Sequence, residues 1–198
     1  MSGAIWPAAQ RGSVLIVSLI FLLLLTIVGV SAMNMTSLEE KMSGNFRDHD
    51  LAFQASEAAL IEAEDYVEAN FDLSQALQNG SQIYKNPCAS GLCFHGTFTN
   101  SSSPVSNCTA GETKEWEAAS LWGTASKTRL ATAQLDGTAK NARYIIEFRC
   151  FMPKDPGNPD PDVTIFAQWA PAFRITSLAS GASTDSQVML QSTYRLVK

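Results

Sequence analysis

The chain has 198 residues, 45% of them hydrophobic and 17% charged, and a formal net charge of −5. That length fits one globular domain with an appendage better than two domains. Its 19 acidic and 14 basic residues, with no Lys/Arg-rich run, exclude a phosphate-neutralising surface and so argue against nucleic-acid binding; two histidines make most metal chemistry unlikely.

The first element is apolar. No charged residue occurs between Arg11 and Glu39, and Val14 to Val30 reads VLIVSLIFLLLLTIVGV. At about 1.5 Å per residue, Ser13 to Ala32 spans roughly 30 Å, the thickness of a bilayer's hydrocarbon core. Arg11 marks the cytoplasmic side, so the C-terminal bulk faces outward. Four cysteines then lie in an oxidising compartment, and their even number fits two disulfides.

Two readings compete for the N-terminus. A secretory signal peptide could use Val30-Ser31-Ala32 as its cleavage site, but the apolar run is long for one. In the other reading, the leader MSGAIWPAAQRG ends in Arg11-Gly12 directly before that run, and resembles the type III leader of type IV pilins and pseudopilins. The resemblance implies a prepilin peptidase that cuts between Gly12 and Ser13 and methylates Ser13. Residues 1–12 are then leader, and residues 13–33 a retained transmembrane half-helix that later packs in a filament. Most pilins carry a glutamate at the fifth position after the cut, where this chain has Val17. A carboxylate among apolar helices is costly unless paired, so its absence marks a subunit with nothing above it, as in the tip pseudopilin of type II secretion. The plainer reading of Val17 is one more lipid-facing side chain.

Residues 34–70 continue the helix in amphipathic form. Met35, Leu38 and Met42 fall at helical spacing, and Phe46, Phe53, Leu60 and Val67 recur every seven residues. Glu62, Glu64, Asp65 and Glu68 lie on or near the opposite face. With no proline from Ser13 to Phe71, one helix to about Asn70 is expected, on the order of 85 Å long. Gly29 and Gly44-Asn45 are its weak points, at about 1 kcal/mol per glycine. The segment GNFRDHDLAFQASEAALIEAE, Gly44 to Glu64, resembles the N-terminal signature of the PilX family of minor pilins. A scaffold accounts for the same residues. Phe46, Phe53 and Leu60 form a core stripe, Ala55, Ala58 and Ala59 allow close packing, and Arg47 and Asp48 form a solvated pair.

Residues 71–198 read as a globular head, variable over 71–137 and sheet-like over 138–198. Gly, Ser, Asn, Pro and Thr crowd the stretch from Asn79 to Asn107, which reads as loop. Of the three connectivities open to four cysteines, Cys88 with Cys93 and Cys108 with Cys150 is preferred. Zinc is disfavoured, because neither close pair has two-residue spacing and the nearest histidine is His95. Trp116, Leu121 and Trp122 in EWEAASLW point to a short helix. Tyr144 to Phe151, Val163 to Trp169, Phe173 to Leu178 and Gln187 to Val197 have strand composition and turn signals between them. The fold class is therefore α+β, a long helix packed on three or four antiparallel strands. The ending FRITSLASGASTDSQVMLQSTYRLVK, Phe173 to Lys198, is again similar to the C-terminal hairpin of the PilX family.

In the loop DPGNPDPD, Asp155, Asn158, Asp160 and Asp162 could offer oxygens to calcium, although three prolines make a stiff turn the simpler account. No hydrolase, Walker, dinucleotide or zincin pattern occurs, so neither catalysis nor a cofactor is expected. The resemblance implies a minor pilin that primes type IV pilus assembly at or near the tip. It would be stored as a single-pass inner-membrane protein with a periplasmic domain, then reach the extracellular pilus. The implied partners are other minor pilins, the major pilin, the prepilin peptidase, the inner-membrane assembly platform and a PilY-type tip adhesin. The alternatives are a type II secretion tip pseudopilin, or a membrane-anchored or exported binding domain outside any filament.

Overall fold

The computed structural model describes residues 13–71, 83–85, 87–94, 114–162 and 164–197. Helix α1 runs Ser13–Asn70 and crosses the boundary between two compact units, Met1–Phe46 and Arg47–Lys198. Glycine does not interrupt it: a Cβ at Gly29 or Gly44 would meet open space, and both positions stay helical.

In the first unit the described side chains of α1 are all exposed, including Val14 (75%), Phe21 (62%) and Met42 (69%). Its most apolar window has a mean hydropathy of 3.0, long and apolar enough to cross a membrane. Two hydroxyls inside this run are satisfied locally. Ser18 Oγ donates to the Leu15 carbonyl at 2.9 Å, and Thr26 Oγ1 to the Leu23 carbonyl at 2.7 Å. Each hydroxyl is thus satisfied within the helix by a backbone carbonyl one turn back.

The second unit is built on a five-stranded mixed sheet. Strands β3 (Arg143–Pro153), β4 (Trp169–Ser180) and β5 (Gln187–Arg195) form an antiparallel meander. On the other edge of β3, β1 (Leu92–Phe94) pairs in parallel, Leu92 opposite Ile146. Strand β2 (Arg129–Leu130) pairs antiparallel, Arg129 opposite Tyr144. The two short strands lie outside the expected set, because so few residues carry no periodic pattern and their pairing is dictated by the exposed edge of β3. The strand expected over Val163 to Trp169 is replaced by a turn. Asp162 Oδ1 accepts from the Thr164 backbone N–H (2.8 Å) and hydroxyl (2.7 Å), a 3₁₀ turn follows at Phe166–Gln168, and β4 begins at Trp169; Val163 lies outside the described residues. The segment EWEAASLW forms a 3₁₀ turn, Glu115–Glu117, and a one-turn helix α2, Ala119–Trp122.

The helical face against the sheet is made of small residues: Ala52, Ala55, Ser56, Ala59, Ala63 and Val67 are buried. The expected core stripe forms only at its C-terminal end: Phe46 is 76% exposed and Phe53 37%, whereas Leu60 is partly buried against the core and Val67 is fully buried. A strict seven-residue repeat drifts about 20° per heptad on a straight helix, so the series begins on the outer face and ends in the core. Of the three alanines expected to pack closely, Ala55 and Ala59 are buried and Ala58 is exposed. Small side chains let a helix lie down on a pleated surface already filled by aromatic rings. Phe148 is the centre of that filling, with ring centroids of Phe71, Phe94, Phe151 and Phe173 between 5.3 and 5.9 Å away. By strand alternation Ile145 faces the opposite side. There it joins Cys88, Cys93 and Leu121 in a second small core, with Trp116 and Trp122 against it.

Candidate functional site

Several polar side chains of α1 tie the helix to the head. Asp48 accepts from the backbone N–H groups of Ala182 and Ser183 (3.1 Å for Ser183) and from Ser183 Oγ at 2.7 Å. The Ser183 hydroxyl, followed by these N–H groups, holds the Asp48 carboxyl below its ordinary value. A Cβ on Gly181 would collide with the Asp48 carboxylate and carbonyl, so the β4–β5 turn needs glycine to approach so closely. Asp48 is thus a clasp, not half of a solvated pair with Arg47; a carboxylate within reach of several N–H donors is better satisfied by them than by a mobile surface cation.

Further along, Ser56 and Ser177 hydroxyls lie 2.6 Å apart, both buried, and Ser177 Oγ also reaches the Ser56 carbonyl at 3.0 Å. Glu62 accepts from the Thr132 backbone N–H (2.9 and 3.1 Å), Thr132 Oγ1 (2.8 Å) and the Tyr144 hydroxyl (3.2 Å). Burial, with the Glu62 charge beside it, pushes the Tyr144 hydroxyl up to about 12. Glu64 accepts from Ser192 Oγ at 3.1 Å. Although spacing puts Glu62 and Glu64 on or near the face opposite the apolar stripe, both carboxylates reach over the helix edge to hydroxyl and N–H donors of the head. Periodicity measures the direction of the Cβ, not the reach of a side chain two carbons longer.

A buried ion pair went unread in the sequence. Glu147 on β3 is fully buried and binds Arg174 on β4 through two contacts of 2.8 Å. The Arg174 guanidinium also stacks 3.7 Å from the Trp116 ring centre, which fixes the Glu115–Glu117 turn on the outer face of the sheet. The available signal was a lone acid inside YIIEFRC opposite a lone base in FRIT.

Of the named site residues, Ser13 opens α1 and Val17 is 49% exposed on it, while Gly12 and Cys108 lie outside the described residues. Cys88 and Cys93 form a disulfide, Cα atoms 4.3 Å apart, and Cys150 is also disulfide-bonded. The small loop between Cys88 and Cys93 turns through Gly91 at φ +78°, where a Cβ would stand 2.7 Å from that of Arg129. Asp155 accepts from the Gly157 N–H at 2.8 Å, as Asp162 does from Thr164. Among the described residues no three His, Cys, Asp or Glu side chains are grouped to hold a metal.

Two segments far apart in the chain, Asp48 to Glu64 and Ile175 to Ser192, thus hold each other through hydroxyls, amides and carboxylates. The second lies within one known family model, and the first overlaps another up to residue 60. Residues 11–60 match the PilX N-terminal family, and residues 89–196 match the C-terminal family of the type IV pilus assembly protein PilX. The chain belongs to the PilX family of type IV pilus minor pilins. PilX proteins are structural pilins, and an apolar N-terminal helix of the kind seen here is consistent with membrane anchoring and a place in the pilus. No curated protein and no solved structure matches this chain.

Proposed function

We propose that this PilX-family chain is a minor pilin that helps prime type IV pilus assembly and resides at or near the filament tip, acting by subunit association. The observation that carries the reading is the apolar half of α1. From Ser13 to Val30 its large side chains are about half to three-quarters exposed, and they need lipid before assembly and neighbouring helices after it. Prepilin peptidase cuts between Gly12 and Ser13 and methylates Ser13. Val17, apolar where most pilins carry glutamate, supplies no charge to pair with the terminal amine of a subunit above, which favours the last position in the stack. The partners are other minor pilins, the major pilin, the inner-membrane platform and a PilY-type adhesin. Cys108 is the proposed partner of Cys150.

The test is the intact mass and N-terminal sequence of the protein taken from membranes of its native host. The expected chain starts at Ser13 with one added methyl group. A start at Met33, or an unprocessed Met1, overturns the filament reading. Deletion of the gene is expected to reduce surface pili while leaving major pilin synthesis intact.

A further inference from the structure

Among the described residues, the outer face of the sheet is only partly covered. The second core and the Glu115–Trp122 segment lie over β1 and β3. At the margin toward β4 and β5 a cavity of about 750 Å³ remains open. Its apolar wall and floor are Trp116, Trp122, Leu178 and Met189, and Lys140 and Arg143 stand at its polar side. The aromatic wall is rigid. Trp122 Nε1 donates to the Trp116 carbonyl at 2.9 Å, and Trp116 is held by the Arg174 guanidinium, itself locked to buried Glu147. Arg143 is fixed by its bond to Thr128 Oγ1 at 2.9 Å, while Lys140 is exposed. Glu117, the acid in the lining, carries its own cation, Lys114, at 2.9 Å.

We propose that this cavity is a docking site for a polypeptide segment of a neighbouring pilus subunit, one that presents an apolar side chain next to a carboxylate. Three features favour a polypeptide. Trp, Met and Arg are the residue types enriched where protein partners bury hot spots. A cationic side on a chain of net charge −5 complements an acidic partner. Met189 and Gln187 of the lining belong to β5, which ends the sheet, so an extended segment seated in the cavity can also run along an outer strand edge to which no described strand is paired. The choice of partner rests on the pilin reading above; the chemistry of the site does not.

The test places a photo-crosslinking amino acid at Met189, with Ile165, exposed to a similar degree outside the cavity, as control. Full-length protein is irradiated in membranes of the native host, and adducts are mapped by mass spectrometry. A parallel substitution at Gln187 guards against a local defect at Met189. The expected adduct maps to a pilus subunit, on a segment with an Asp or Glu within a few residues of the linked position. Its yield falls about threefold in K140E, the size of one lost exposed charge contact, and is retained in K140R. Adducts no stronger than at Ile165, an adduct on lipid or saccharide only, or indifference to K140E overturns the docking site. If the same cells hold the Ser13 form of the protein, that failure leaves the pilin reading standing.

Discussion

The two halves of α1 obey opposite rules within one uninterrupted helix. From Ser13 to Phe46 the large residues Val, Leu, Ile, Phe and Met are exposed, whereas from Arg47 to Asn70 the buried residues are Ala52, Ala55, Ser56, Ala59, Ala63 and Val67. Ala52, Ala59 and Ala63 are at most 1% exposed, while Phe21 is 62% exposed. Hydrophobicity ranks what a residue avoids, but shape decides what it packs against. Beside a sheet whose aromatic rings already fill the space, the helix buries only small side chains, none larger than Val67. Facing lipid or another helix, it is not so limited, and large ridges are useful.

This contrast can be broken most forcefully by truncating one phenylalanine on each side of it. Phe173→Ala, in the buried ring cluster, is expected to destabilise the head by about 3–5 kcal/mol. Phe21→Ala leaves head unfolding unchanged and affects only membrane retention or assembly. Denaturant titration of the full chain in detergent, followed by tryptophan fluorescence, separates the two; equal losses would erase the distinction. The next effect in size is covalent. Replacing Cys88 and Cys93 together by serine opens a loop with a sequence separation of 5, and chain entropy puts the loss at about 2 kcal/mol. It falls on the edge formed by β1, so amide exchange should rise first at Leu92 to Phe94.

The smallest effect sharpens the boundary between the halves. Asp48 is held below its ordinary pKa of 3.8 in the folded chain. Its clasp on Ser183 therefore contributes stability in full above that value and loses it as pH falls through the lowered one. Melting temperature followed from about pH 6 to about pH 2 should show this loss, and Asp48→Asn should flatten part of it. An unchanged pH profile in the variant would remove the clasp from the energetics.

Much of the architecture was legible because it is written in runs. The membrane-length apolar stretch, the absence of proline to Phe71 and the β-branched runs of β3, β4 and β5 each span enough residues for a period to show. The ties between helix and head are single residues. Asp48 reads as half of a solvated pair, Glu62 as a residue on or near the opposite face, and Ser56 carries no signal, because their partners, Ser183, Ser177 and Thr132, lie on the order of a hundred positions away and no local pattern announces them. Strands β1 and β2 are too short to carry a period at all. Glu147 and Arg174 were visible as odd charges in apolar strands, but only the register of β3 against β4 makes them a pair.

By itself the sequence determined that the chain has a membrane-length apolar helix, that the helix continues as an amphipathic one, and that a sheet-forming region follows, since these properties depend on local composition and period. Tertiary structure alone decided which helical face is buried, which carboxylates act as clasps and where an open, cation-sided cavity remains. Those depend on side-chain volume and reach measured against surfaces that come together only when distant segments meet.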